Sequence, residues 1–124
     1  MLSDEYAAGF FDGEGCIHIA MGRSGIAQIR LEVSQKVTYM LELFQEKYGG
    51  KLSGVHLRFD RRDEVRNLLL ALLPHLILRR REAEIALQYV SLPIQMGKRL
   101  IEEQLVERAK IINDFHEANY ERRK

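Results

Sequence analysis

Tyr6-Ala-Ala-Gly-Phe-Phe-Asp-Gly-Glu-Gly15 is the stretch that decides how this chain is read. Ala7, Ala8, Gly9 and Gly13 recur at helical spacing and leave one helix flank almost bare, so another backbone can approach closely. Asp12 and Glu14 follow where the helix runs out, just before Gly15. Carboxylates are disfavoured there, because the last carbonyls of a helix already carry partial negative charge. A local rule broken this openly points to a functional site. The simplest remedy for crowded carbonyl and carboxylate oxygens is a hard divalent cation such as Mg2+.

Working outward, Ser3 is a plausible N-cap, with Asp4 and Glu5 in the first turn, so the first helix is predicted to run to about Gly13. Ile17, Ile19 and Met21 alternate with His18 and Ala20, the period of a half-buried strand. Gly22-Arg23-Ser24-Gly25 reads as a hairpin connection. On the return strand Ala27, Ile29, Leu31 and Val33 point one way, and Gln28, Arg30, Glu32 and Ser34 the other. That polar row could be plain wet surface or a reader of base edges.

Residues 38–48 form an amphipathic helix with Met40, Leu41, Leu43 and Phe44 inward, stopped by Gly49-Gly50. A shorter hairpin follows over 51–60, with Leu52, Val55, Leu57 and Phe59 apolar and a tight turn at Ser53-Gly54. Asp63 is expected to cap a helix over 64–73 that Pro74 ends. The helix pattern resumes over 79–91 and breaks at Pro93. A long charged helix is expected from Ile94 to about Arg122, carried by propensity rather than by ion pairs. The order is αββαββαα plus a further C-terminal helix. Antiparallel strands with helices on one face give an α+β layer arrangement.

The 124 residues suit one domain, and 46% hydrophobic residues suffice for a core. A single cysteine, Cys16, excludes a disulfide framework and fits a reducing compartment. The N-terminus Met-Leu-Ser-Asp-Glu does not read as a signal peptide, and the longest apolar run, 68–78, is too short to span a membrane. We read that run as a buried helix end. The expected location is intracellular, in cytoplasm or an organelle (chloroplast or mitochondrion). A net charge of +1 does not announce a nucleic-acid partner. Basic residues nevertheless segregate at 58–62 and 79–81, with Lys51, Arg30 and Lys36 in the strand regions, and such a face could bind phosphate. From composition alone, ordinary solvated surface is the simpler account.

The segment Ala7-Ala-Gly-Phe-Phe-Asp-Gly-Glu-Gly15 resembles the signature of the LAGLIDADG homing endonucleases, with Glu14 in place of the final Asp. The resemblance continues in order through Val33-Ser-Gln-Lys36, Tyr48-Gly-Gly50, Leu73-Pro-His-Leu76 and residues 79–84. It implies the αββαββα core of that family, in agreement with the independent reading. It also implies a site-specific double-strand DNA endonuclease requiring Mg2+ (or Mn2+). One motif per chain implies a homodimer, with Ala7, Ala8, Gly9, Phe10, Asp12 and Gly13 at an isologous interface and a pseudo-palindromic target.

The resemblance further implies roles for particular residues. Glu14 is the metal ligand at the core of the site, and the Gly13 carbonyl a second ligand. Asp12 is expected to organise the turn or the interface rather than bind metal. Gln35 would order water around the metals; the alternative is an ordinary polar residue at the sheet end. Arg79 stands where many relatives carry Lys and would stabilise a developing phosphorane, unless Arg80 or Arg81 takes that position. Cys16 is a small strand residue rather than a nucleophile.

For DNA contact the outward row is His18, Gln28, Arg30, Glu32 and Ser34, with His56 and Arg58 from the second hairpin. Arg23, Lys36, Lys51, Arg61 and Arg62 are phosphate contacts. Each of these could also be plain surface. His18 and His56 lie too far apart in strand pairing for a metal site. The second hairpin is short for the family, so the outer target positions should be loosely read. The rival function is a non-cleaving RNA maturase or DNA-binding regulator on the same scaffold, which Arg79 and the short hairpin favour slightly and the acid at Glu14 disfavours.

Overall fold

A computed structural model describes residues 2–21, 27–92 and 102–123. The elements run α1 (Asp4–Glu14), β1 (Gly15–Met21), β2 (Ala27–Ser34), α2 (Thr38–Tyr48), β3 (Lys51–Ser53), β4 (His56–Phe59), α3 (Arg62–Leu72), a 3₁₀ turn (Leu73–His75), α4 (Arg80–Val90) and α5 (Glu102–Arg123). The α+β order expected from the sequence is the one observed. The expected connection over 22–25, the break at Pro93 and the start of the last helix over 94–101 lie outside the described residues.

Ser3 caps α1, its Oγ accepting from the Tyr6 amide at 3.1 Å, and Asp4 and Glu5 occupy the first turn where acids are favoured. The helix includes Glu14, one residue beyond the expected end. The chain then passes into β1 with no intervening loop. Gly15 makes this possible: a Cβ there would lie 2.5 Å from the Phe11 ring and 2.6 Å from its carbonyl oxygen.

The sheet is antiparallel in the order β1-β2-β4-β3. Strand alternation sends Ile17, Ala27, Ile29, Leu31, Val33, Leu57 and Phe59 to one face, where they are buried. The first four helices pack on that side. Phe11 of α1, Phe44 of α2 and Phe59 of β4 are all buried there, with the Phe44 and Phe59 rings 6.3 Å apart. The buried Tyr89 hydroxyl of α4 accepts from the Ala27 amide (3.0 Å) and donates to the Ala27 carbonyl (2.9 Å). That pairing satisfies the entry of β2 with a side chain from 62 residues away. The opposite sheet face is left to the polar row.

Several boundaries differ from expectation for local reasons. Helix α3 starts at Arg62, and Asp63 sits inside its first turn rather than at the cap. Helix α3 ends at Leu72, one residue earlier than expected, and Pro74, which has no N–H to continue the helix, lies in the 3₁₀ turn that follows. Val55 is in the β3–β4 turn and 40% exposed. The apolar run 68–78 is not a wholly buried helix end. Leu68, Leu69, Leu72 and Leu76 are buried, but Ile77 and Leu78 are 82% and 62% exposed. No described helix is long and apolar enough to cross a membrane.

Candidate active site and nucleic-acid interface

Asp12 is the hinge of the site. Its Oδ2 accepts from the amides of Ile77 (2.7 Å) and Leu78 (3.2 Å), and its Oδ1 from the amide of Arg79 (3.0 Å). Arg79 occupies the N-cap position of α4 with no side-chain bond to the helix amides. The carboxylate thus satisfies amides at a helix entry that its own sequence leaves open, where the helix field favours negative charge. Of the two expected roles of Asp12, organising the turn is the one the geometry displays.

This grip welds the end of α1 to the start of α4. The register Gly15↔Val33 sets the end of β2, and Gln35 just beyond it, opposite the tip of α1. Glu14, Gln35 and Arg79 therefore gather at one end of the β1–β2 pair. Glu14 is exposed. Gln35 is half-buried, its amide donating to the Val55 carbonyl and its Oε1 accepting from the Lys36 amide, each at 2.9 Å.

Arg79 is also half-buried, and its Nε is buried with no hydrogen-bond partner among the described residues. Burial, then the neighbouring Arg122 cation, pull its pKa below the usual arginine value, while Cys16, Glu82 and Asp12 oppose the shift. It remains a cation and cannot act as a base. Arg80 and Arg81 lie on the exposed side of α4 against Glu84, at 3.2 and 4.0 Å.

The two flanks of α1 differ sharply. Among the described residues, a Cβ built on Gly9 or on Gly13 would meet nothing within 4 Å. Tyr6 on the same flank is 60% exposed. Ala7 and Ala8, expected on that bare surface, are instead fully buried in their own chain. Helical periodicity explains the correction: residues 6, 9 and 13 share one face, and 7, 8 and 11 the other. Phe10 is half-buried and its ring packs toward Phe44 at 6.2 Å.

Among the described residues, no three His, Cys, Asp or Glu side chains of the chain come together in a way that could hold a metal ion. One chain offers the Glu14 carboxylate and the Gly13 carbonyl, which lies in the last helical turn where carbonyls lack intrahelical partners. A hard divalent cation takes six or more oxygens. This oxygen donor set fits such an ion with the remaining positions filled from outside the chain, by water or phosphate oxygens.

On the open sheet face, Cys16, Glu32, Arg58 and Lys51 lie in one cross-strand row. His18 faces Arg30, and Ser34 faces His56 with their Oγ and Nδ1 2.7 Å apart. Gln28 is exposed near the outer end of β2. Lys36 is exposed beyond β2, Arg61 pairs loosely with Asp63 at 3.7 Å, and Arg23 lies outside the described residues. Arg62 turns inward, donating to the Leu92 carbonyl, so its side chain is committed to the fold rather than to a free phosphate-binding surface. His18 and His56, read as too far apart for a metal site, both reach Glu32, at 3.7 and 3.5 Å, without forming a metal-holding group among the described residues.

One network was not foreseen. Glu82 is 1% exposed and binds the Arg122 guanidinium and the Asn119 amide (2.9 Å) of α5. Its position one helical step before the buried Ile85, Ala86 and Tyr89 is the signal that could have placed it inside.

No protein-family model matches the chain, and no characterised protein matches it in sequence. Solved structures do. The homing endonuclease I-TnaI superposes with a TM-score of 0.75 at 17% identity, over 97% of this chain and 95% of that one. I-CvuI, a homing endonuclease in complex with its target in the presence of Ca, gives 0.61 at 20% identity over 89% and 94%. The LAGLIDADG meganuclease I-AabMI bound to uncleaved DNA gives 0.59 at 18% identity, over 94% of this chain and 57% of that chain. The chain has the fold of the LAGLIDADG homing endonucleases.

Proposed function

We propose that this protein is a metal-dependent, site-specific DNA endonuclease that acts as a homodimer on a pseudo-palindromic duplex. The observation that carries this reading is the grip of Asp12 on the amides of residues 77–79. It joins the acidic tip of α1 to Arg79 while Gly9 and Gly13 stay bare on the outer flank. The fold shared with DNA-bound endonucleases supports it.

Two copies would meet along the outer flank of α1, the missing side chains letting the helix backbones approach. Exposed Ile77 and Leu78, held beside the tip by Asp12, add apolar surface that a second copy would cover. A two-fold contact is isologous, so each chain contributes one Glu14 near the axis and reads one half-site of about one helical turn.

The Glu14 carboxylate and Gly13 carbonyl of each copy would hold divalent metal. When bound, such an ion supplies Lewis-acid activation of the phosphate and of an attacking water. Gln35 orients water at the tip. The Arg79 guanidinium, held beside the tip by the grip of Asp12 on its amide, neutralises charge that builds on the phosphate oxygens. The sheet face lies in the major groove, with Arg30, Arg58 and Gln28 able to take base edges and Lys36, Lys51 and Arg61 phosphates.

The test is cleavage of a plasmid library carrying randomised inserts, in Mg2+ and in Ca2+, by the wild type and by Glu14→Gln. The reading expects Mg2+-dependent double-strand cuts at related inserts and none from the variant. Sequence-selective binding without cleavage would favour a maturase or regulator instead.

A further inference from the structure

Glu32 is a carboxylate in the middle of a surface otherwise furnished for an anionic partner. Its side chain is only 20% exposed. Its Oε2 lies 3.7 Å from His18 Nε2 on β1, and its Oε1 lies 3.5 Å from His56 Nδ1 and 3.6 Å from Arg58 Nη2 on β4. Strand pairing makes this convergence unavoidable: Glu32 sits opposite Cys16 on one side and Arg58 on the other, with the histidines diagonal to it on the same face. These separations exceed good hydrogen bonds, so the contacts are mainly electrostatic.

Loose ion pairs whose basic partners are half exposed contribute little to folding. Their consequence lies in where charge is placed. With Glu32 ionised, the Arg58 charge is balanced at the centre of the sheet. Among the described residues, the cations of this face left without an ion pair are Arg30, two residues along β2 from Glu32, and, toward the rim, Lys36 and Lys51. Without it, the centre would be an indiscriminate phosphate trap.

Resting on the DNA-binding reading above, we infer that Glu32 is a positioning and specificity-determining residue rather than a reader of a base. It holds Arg58, His18 and His56 in fixed directions and cancels the charge that would let them settle on any phosphate. The predicted effect of losing that charge is therefore opposite in sign for specific and non-specific DNA.

The experiment compares wild type with Glu32→Gln, which keeps the shape and removes the charge. A randomised duplex pool is selected with each protein. Affinity is then measured for the wild-type-selected duplex and for a scrambled duplex across a salt series. The expected result is scrambled-duplex affinity raised several-fold with a steeper salt slope. The ratio of selected to scrambled affinity should fall by about tenfold or more, with preference blurred at several positions of each half-site. Without DNA, the Arg58 Nε–H heteronuclear NOE should fall toward that of a free side chain, while the melting temperature stays unchanged.

A variant that keeps the full affinity ratio overturns the inference. So does a loss confined to one base pair per half-site, which would make Glu32 the reader itself, as does an Arg58 signal indifferent to the substitution. If the wild type enriches no sequence, the endonuclease reading falls and this inference falls with it.

Discussion

The two flanks of α1 share eleven residues of helix and nothing of their surroundings. On the inner flank Ala7, Ala8 and Phe11 are almost wholly buried, and small side chains serve to bring the helix close to its own core. On the outer flank Gly9 and Gly13 face open space among the described residues, and none of these uses the lack of side chains. Glycine in a helix interior costs roughly 0.5–1 kcal/mol relative to alanine. Two such glycines on a face with nothing to accommodate make sense as preparation for a second backbone. The same contrast holds at the tip, where Asp12 is fully engaged by three amides and Glu14, two residues on, is exposed.

The widest gap between the flanks should come from Glu14→Gln. Plasmid cleavage should fall by at least about a hundredfold, while the melting temperature holds, because an exposed side chain is altered by one atom. Substituting leucine on either side of the helix sharpens the contrast. Ala8→Leu inserts bulk into a fully buried position and should cost about 3 kcal/mol in urea titration. Gly9→Leu should leave the melting temperature of the single chain equal or higher, yet abolish the dimer in sedimentation, since a two-fold interface receives the substitution twice.

Asp12→Ala tests the weld between the tip and α4. Losing the acceptor for three amides should cost about 2 kcal/mol in the same titration and lower cleavage as Arg79 drifts.

The smallest effect belongs to the far end of α1. There the Tyr48 hydroxyl donates to Asp4 at 2.5 Å and Lys47 lies at 3.2 Å, and these partners hold the Asp4 carboxyl below its usual range. The stability it lends is complete above the ordinary aspartate pKa and is lost as pH falls through the lowered value. Because the side chain is 40% exposed, Asp4→Asn should shift acid unfolding by well under 1 kcal/mol.

What could be read before the structure follows from periodicity. The alternation of Ala27, Ile29, Leu31 and Val33 placed the buried face of β2 without error, since one face of a sheet is all core. Helix α2 agreed to the residue, bounded by Gly49-Gly50 at φ +89° and +91°, where other residues are strained. The bare flank of α1 was recognised but drawn too wide, because small residues look alike in sequence whether they admit the core or a neighbour. Contacts at long separation left no local trace. Asp12 meets Arg79 across 67 positions and Glu82 meets Arg122 across 40, so neither clamp could be seen in a run of letters. The convergence of His18 and His56 on Glu32 has no trace in direct strand pairing, because it runs through the diagonal neighbours that long side chains reach.

The most direct test of the central claim is crosslinking at the tip. Glu14→Cys in a Cys16→Ser background, treated with a short bismaleimide, should give a covalent dimer in high yield at low protein concentration. Glu46→Cys in the same background, exposed on α2, should give only the collisional background. If position 14 crosslinks no better than position 46, the two acidic tips do not meet, and the proposed active centre does not exist.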